Sequence, residues 1–290
     1  MARTVLIGVD GSSRSDDAMA VAELIAPALD AQPALLYAHP YRELESLLSE
    51  GEREQLVREV AETSARQARA HFGDAEAPRL ELVGNRSPAA ALHTAAAERD
   101  VVAIIVGSSH RGAIGRVMPG GVAQRLLSGA PCPIVVAPAG FAARHPLGLG
   151  AIGAGFDASA EAADALGFAA RMAAANKGPL IVIAVYQRVA FGHLPVGAGQ
   201  AVATVNEELR ADLAGDLEKA VNELAVGQQV TARLRQGDPA GVLAEESEKL
   251  GLLVVGSRGY GPIGSVLVGS VATRLLSSSS CPVMVVPRGA

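Results

Sequence analysis

The sequence predicts an α/β protein written as one domain twice, each copy a five-stranded parallel sheet with helices on both faces. Three observations predict it. Short, continuous apolar runs alternate with longer segments whose apolar residues recur at helical spacing. Residues 107–138 laid over 256–287, an offset of 149, match at 17 of 32 positions. In both copies that repeated stretch follows an apolar run and opens on glycines: Gly107 after Val101–Val106, and Gly256 after Leu252–Val255.

In the first copy, residues 4–9 read as a buried strand, and the polar stretch 12–17 can cap the helix that follows. Val21, Leu24, Ile25 and Leu29 share one face of that helix, which Pro33 ends. Residues 34–38 form the second strand. A long charged helix over 42–72 follows, with Leu44, Leu47, Leu48, Leu56, Val57 and Val60 partly buried. Residues 80–83 make the third strand, 88–98 a helix with Pro88 in its first turn, 101–106 the fourth strand, 122–127 a helix and 134–137 the fifth strand. The second copy repeats this order: strand 150–156, helix 158–175, strand 180–185, a glycine- and proline-bearing loop over 189–199, helix 202–226, strand 230–234, and a helix from 239 to 250. Strand 252–255, a helix from Ser270 and a last strand 283–286 complete it. The join lies between 139 and 150, with Pro146 and several glycines, so the domains are expected at 1–140 and 148–290.

Bulk chemistry excludes several classes. The net charge of −5 gives no basic surface for nucleic acid, and the 3% aromatic content gives no stacking platform for single strands. No apolar run reaches the roughly 18 residues of a membrane helix, and the N-terminal apolar run is short and ends in Asp10, so a cytoplasmic protein with no membrane partner is expected. Cys132 and Cys281 both precede a proline and an apolar strand and read as small buried hydrophobes rather than a disulfide. His39, His71, His93, His145 and His193 show no metal-ligand spacing, so no metal site built by protein side chains alone is expected.

The chemistry concentrates at the strand ends. In an open parallel sheet, ligands bind at the carboxyl ends of strands near the point where strand order reverses. Asp10, Ala38 and Gly107 occupy those ends in the first copy. In the second copy, Gly256 and Gly259 follow a strand, and Gly269-Ser270 open a helix, with Ser270 as the expected N-cap. Glycines that bare the backbone N–H groups, next to a helix N-terminus, suit phosphate.

The spacing Gly256-x2-Gly259-x9-Gly269-Ser270 resembles the nucleotide-binding motif of the universal stress protein family, and the whole chain resembles that family's tandem two-domain form. The resemblance implies a Rossmann-like fold of the adenine nucleotide alpha hydrolase type. It implies ATP as ligand, with or without Mg2+, and a sensing or regulatory role in the stress response with at most slow hydrolysis. It assigns Gly256, Gly259, Gly269, Ser270 and Val271 to phosphates and ribose, Asp157 to the ribose or phosphate region, and the backbone near Ala184 to adenine. The first-copy counterparts are Asp10, Ala38, Gly107, His110, Gly120, Gly121 and Val122. There the motif departs from the family: His110 stands for Gly259, Gly121 for Ser270 and Arg86 for Gly237, while His110, Arg111 and Arg116 could supply cationic contacts. The resemblance also implies antiparallel pairing of the fifth strands, 134–137 with 283–286 within the chain, with a homo-oligomer as a further step. The alternative is a non-catalytic interaction or dimerisation scaffold with one or both sites inactive. No His-x-Gly-His, Ser-Gly-Gly loop or Gly-x4-Gly-Lys-Ser/Thr is present to favour an enzyme.

Overall fold

The computed structural model describes residues 3–39, 49–108, 121–129, 131–144, 147–188, 199–224, 229–257 and 269–289. Strands β1 (Thr4–Gly8), β2 (Gln32–His39), β3 (Leu80–Gly84), β4 (Val101–Gly107) and β5 (Ile134–Ala137) belong to the first half. Strands β6 (Ile152–Phe156), β7 (Leu180–Tyr186), β8 (Val230–Gln236), β9 (Leu252–Gly256) and β10 (Val283–Val286) belong to the second. The described helices are α1 (Ser13–Ala28), α2 (Glu50–Phe72), α3 (Pro88–Glu98), α4 (Gly121–Leu127), α5 (Ala160–Asn176), α6 (Gly199–Leu224), α7 (Pro239–Ser247) and α8 (Ser270–Ser278).

All ten strands form one sheet in the order β3-β2-β1-β4-β5-β10-β9-β6-β7-β8. Within each half every pairing is parallel, because each crossover carries a helix. The halves meet where β5 and β10 pair antiparallel, Val283 opposite Val136 and Val285 opposite Ile134. Order reverses at β1, which lies between β2 and β4, and at β6, between β7 and β9.

Side-chain alternation sorts the strands onto two cores. Ile7, Ile105, Val135, Val254 and Met284 face one side, packed with Met19 and Ile25 of α1 and Met172 of α5. Leu6, Ile104, Val136, Leu253 and Val283 face the other, packed with Leu92 of α3, Leu126 of α4, Leu243 of α7 and Leu275 of α8. Both cores draw residues from both halves, so the strand seam is buried on each face. Cys132 and Cys281 sit just ahead of β5 and β10 as free, buried thiols, and burial pushes each up to about 12.

Several expectations shift at the boundaries. The start of the long first-half helix, including Leu44, Leu47 and Leu48, lies outside the described residues; α2 as described opens at a capping box, Ser49 N–H donating to Glu52 Oε2 at 2.8 Å. Leu56 is exposed rather than partly buried: the fully buried residues of α2 are Ser64 and Ala68, nearer its C-terminal end, where Phe72 also packs on the core. Ser270 is not the N-cap of α8: Gly269 takes that place without a side-chain cap, and Ser270 is the first helical residue. On the far edge, buried Glu246 of α7 is held between Arg233 and Arg235 of β8, fixing α7 against the sheet.

At the strand ends that border the clefts, Gly107 and Gly256 are required by close approach. A Cβ on Gly107 would stand 2.4 Å from the Arg14 carbonyl oxygen, and one on Gly256 would stand 2.6 Å from the Glu161 carbonyl oxygen. Both obstacles are main chain in the first turn of α1 and α5, so no rotamer change relieves them. Gly107→Ala and Gly256→Ala are each expected to destabilise the fold by about 1–3 kcal/mol. A shift of the urea midpoint at unchanged m-value checks this; unchanged midpoints would contradict it.

Candidate functional site

Two clefts open at the carboxyl ends of the central strands, one in each half. The first is lined by Gly8, Asp10, Arg14, Ala38, Gly107 and Ser108, among others, and encloses about 160 Å³. The second is lined by Asp157, Glu161, Val185, Gly256, Gly269 and Ser270, among others, and encloses about 340 Å³. Each has an apolar inner wall from matching elements: Leu36, Leu92 and Val106 in the first, Ile183, Leu243 and Val255 in the second.

The acidic residues stand at the mouths, just past β1 and β6, where the chain turns into α1 and α5. Ser12 and Ser159 are the N-caps, their hydroxyls accepting from Arg14 N–H at 3.2 Å and Ala162 N–H at 3.2 Å. Each cap also bonds back to the acid: Ser12 N–H and Ser159 N–H donate to Asp10 Oδ1 and Asp157 Oδ1, each at 3.1 Å. The turn needs a left-handed residue, supplied by Gly11 (φ 74°) in one half and by Ala158 (φ 61°) in the other. Ala158 carries a backbone cost on the order of 1–2 kcal/mol that Gly11 avoids.

The two acids then part company. Asp10 also accepts from the Ser15 hydroxyl at 2.9 Å and is ion-paired with Arg14. Burial alone would raise the Asp10 carboxyl, but the Ser12 bonds, the Arg14 charge and the Ser15 bond together hold it below its ordinary 3.8. At the positions of Arg14 and Ser15, the second half has Glu161 and Ala162, an acid and an apolar residue in place of a cation and a hydroxyl. Glu161 faces the second cleft and meets Arg288 at 3.7 Å.

The residues expected from sequence are placed as follows. Asp10, Ala38, Gly107, Gly121 and Val122 line the first cleft. Asp157, Gly256, Gly269, Ser270 and Val271 line the second. Gly259, His110 and Gly120 lie outside the described residues, as do Arg111 and Arg116. Ala184 does not line the second cleft: its side chain is fully buried in the core on the opposite face, and Ile183 and Val185 line the cleft instead. Strand register explains this. Gly8 pairs with Leu36 and Gly155 with Ile183, so Ala38 corresponds to Val185. Gly121 faces open space, so packing does not forbid a serine there.

Sequence reading missed Arg14, Ser108 and Glu161. The signal for Arg14 was present, since Asp10 and Arg14 are four apart where a helix begins. Ser108 and Ser257 follow β4 and β9, with N–H groups bonded to Ala137 O at 3.0 Å and Val286 O at 2.8 Å. Among the described residues both buried hydroxyls find no hydrogen-bond partner, which no sequence pattern reveals.

A second acid of α1 secures the end of the first half. Asp17 is buried, and its carboxylate accepts from Gly140 N–H and Ala142 N–H, each at 2.9 Å. Its counterpart Asp164 accepts from Gly289 N–H at 3.0 Å. Burial raises the Asp17 carboxyl above 3.8; the bonds from Ala142 and Gly140 offset this only in part, and Asp16 adds repulsion.

The model describing the universal stress protein family matches residues 1–138 and 149–287. A universal stress protein of Mycolicibacterium smegmatis is 30% identical over 97% of this chain and 96% of its own length. One from Mycobacterium bovis is 27% identical over 97% of this chain and 96% of its length. The crystal structure of a universal stress protein from Archaeoglobus fulgidus superposes with a TM-score of 0.68 at 19% identity, covering 99% of this chain and 98% of that one.

The two α1 carboxylates give opposite pH signatures. Asp10, lowered by folding, contributes stability that is present above pH 3.8 and lost as pH falls below it. Asp17, raised by folding, makes the folded chain bind its proton more tightly, so its contribution falls as pH rises through the interval above 3.8. Urea midpoints measured from about pH 3 to pH 6 are expected to show Asp10→Asn flattening the acid-side loss and Asp17→Asn flattening the loss on raising pH. The same sign for both variants would contradict this.

Proposed function

This chain belongs to the universal stress protein family, and on that footing we propose that its second half binds an adenine nucleotide of the ATP class, with Mg2+ accompanying the phosphates. One observation carries the reading. The second cleft joins an apolar slot (Ile183, Leu243, Val255) to the N-terminus of α8 at Gly269–Val271, with Asp157 at the mouth. A flat base fits the slot, and polyphosphate fits the exposed N–H groups and partial positive charge of a helix start.

Each residue then has a role. The strand-end backbone at Val185, rather than Ala184, meets the base. Asp157 accepts from ribose hydroxyls or shares the cation. Gly269, Ser270 and Val271 donate to phosphate, the Ser270 hydroxyl being freed by its place as first helical residue instead of cap. Asp157 and Glu161, both lining the cleft, are the hard oxygen donors that a phosphate-bound Mg2+ prefers. Gly259 completes the glycine motif as part of this proposal.

The domains are proposed at 1–140 and 148–290, joined through the antiparallel β5–β10 pair into a two-site unit. The protein then acts as a regulatory module in the cytoplasm whose output is nucleotide occupancy rather than turnover. For the first half, the scaffold reading draws support from the smaller cleft and from an Asp10 already engaged by its neighbours.

Titration calorimetry of the full chain with ATP and Mg2+ tests the assignment. One tight MgATP per chain is expected. Ser270→Ala is expected to weaken it about ten-fold, the effect of a lost hydrogen bond to a charged group, and Asp157→Ala to weaken it further. Absence of ATP binding by well-folded protein, or affinity indifferent to both substitutions, would overturn the proposal.

A further inference from the structure

Two helix starts make one wall of the second cleft: Pro239 and Leu243 of α7, and Gly269, Ser270 and Val271 at the start of α8. The first turn of α8 is held by little of its own, because its N-cap is Gly269, which offers no side-chain bond. Ala272, Leu275 and Leu276 fix the apolar side of the helix on the core. A polar tie comes from α7. Arg274, one turn after Ser270, donates from Nη1 to Asp238 Oδ1 at 2.8 Å and from Nη2 to Asp238 Oδ2 at 2.7 Å. Asp238 is the N-cap of α7, and its Oδ2 also accepts from Gly241 N–H at 2.9 Å.

We propose that Asp238 and Arg274 form a positioning clasp that sets the start of α8 against the start of α7, and with it the place of the phosphate donors Gly269–Val271. The inference rests on reading the second cleft as a nucleotide site, and neither residue lines that cleft. The first argument is geometry. Two parallel bonds between a planar guanidinium and a carboxylate fix both separation and rotation. The carboxylate is itself held by the first turn of α7, so the fork docks on a fixed point. The second argument is energetic. The two side chains are 58% and 42% exposed, and an ion pair so open to water contributes little to stability. What it supplies is a fixed geometry.

The third argument compares the halves. Arg125 stands at the position of Arg274, but Ser87 stands at that of Asp238. Ser87 caps α3, accepting from Ala90 N–H at 3.3 Å, so capping alone does not call for a carboxylate. The acid occurs in the half that carries the complete glycine and serine motif. In the first half the polar tie between the matching helices is His93 Nε2 to the Leu126 carbonyl at 3.0 Å, at the far end of α4 from Gly121 and Val122, which line the first cleft.

Calorimetry of the full chain with ATP and Mg2+ tests the clasp, with urea midpoints measured on the same proteins. Arg274→Gln and Asp238→Asn are each expected to weaken MgATP about three- to five-fold, the most that an exposed ion pair can transmit. Asparagine keeps the cap of α7, so the midpoints are expected to stay near wild type. The double variant should bind no more weakly than either single one. The shared sign separates a clasp from a charge acting at a distance. Removing a cation near phosphate weakens binding, whereas removing an anion strengthens it. Tighter binding in Asp238→Asn, or affinity unchanged in both folded variants, would overturn the clasp and leave the nucleotide reading standing. Wild-type protein that binds no MgATP would overturn both.

Discussion

The closest backbone contact at each cleft is the packing of a helix's first turn onto the glycine ending the neighbouring strand, Arg14 onto Gly107 and Glu161 onto Gly256. That contact has no room for a Cβ. It draws the start of α1 and α5 down onto the carboxyl ends of β4 and β9, so the capped turn and its acid overhang the crevice where strand order reverses. Family resemblance assigns these glycines to phosphate binding. The packing gives them a separate, sufficient reason to be glycine.

A second constraint is the seam. β5 and β10 have few residues each, and every side chain in them is buried. Two short strands with both faces covered stabilise a junction only when helices from both halves close over it, and the two cores that span the seam show this arrangement. The antiparallel register also sends Cys132 and Cys281 to opposite ends of the pair, which separates the thiols without any special device.

Much of this was legible in the sequence. The apolar runs marked the strands and the offset repeat marked the two halves, because each of these signals is local and periodic. What escaped depended on partners far along the chain. The resemblance points to the backbone near Ala184, but pairing with β6 makes Val185 the register counterpart of Ala38, and a one-residue shift turns a strand side chain to the other face. Ser270 has the chemistry of an N-cap, yet Gly269 takes the cap position by backbone geometry. The exchange of Arg14 for Glu161 is visible in the aligned halves, but its meaning requires knowing that both side chains face a cleft.

One backbone frame is used twice, and the two clefts differ in volume and in the side chain, Arg14 or Glu161, that faces them. The most direct test of the central claim is a crystal structure of the full chain grown with ATP and Mg2+. The account predicts triphosphate density at Gly269–Val271, the base between Leu243 and Val255, and the cation on the side of Asp157 and Glu161. An empty second cleft at saturating nucleotide, or ATP bound elsewhere on the molecule, would contradict it.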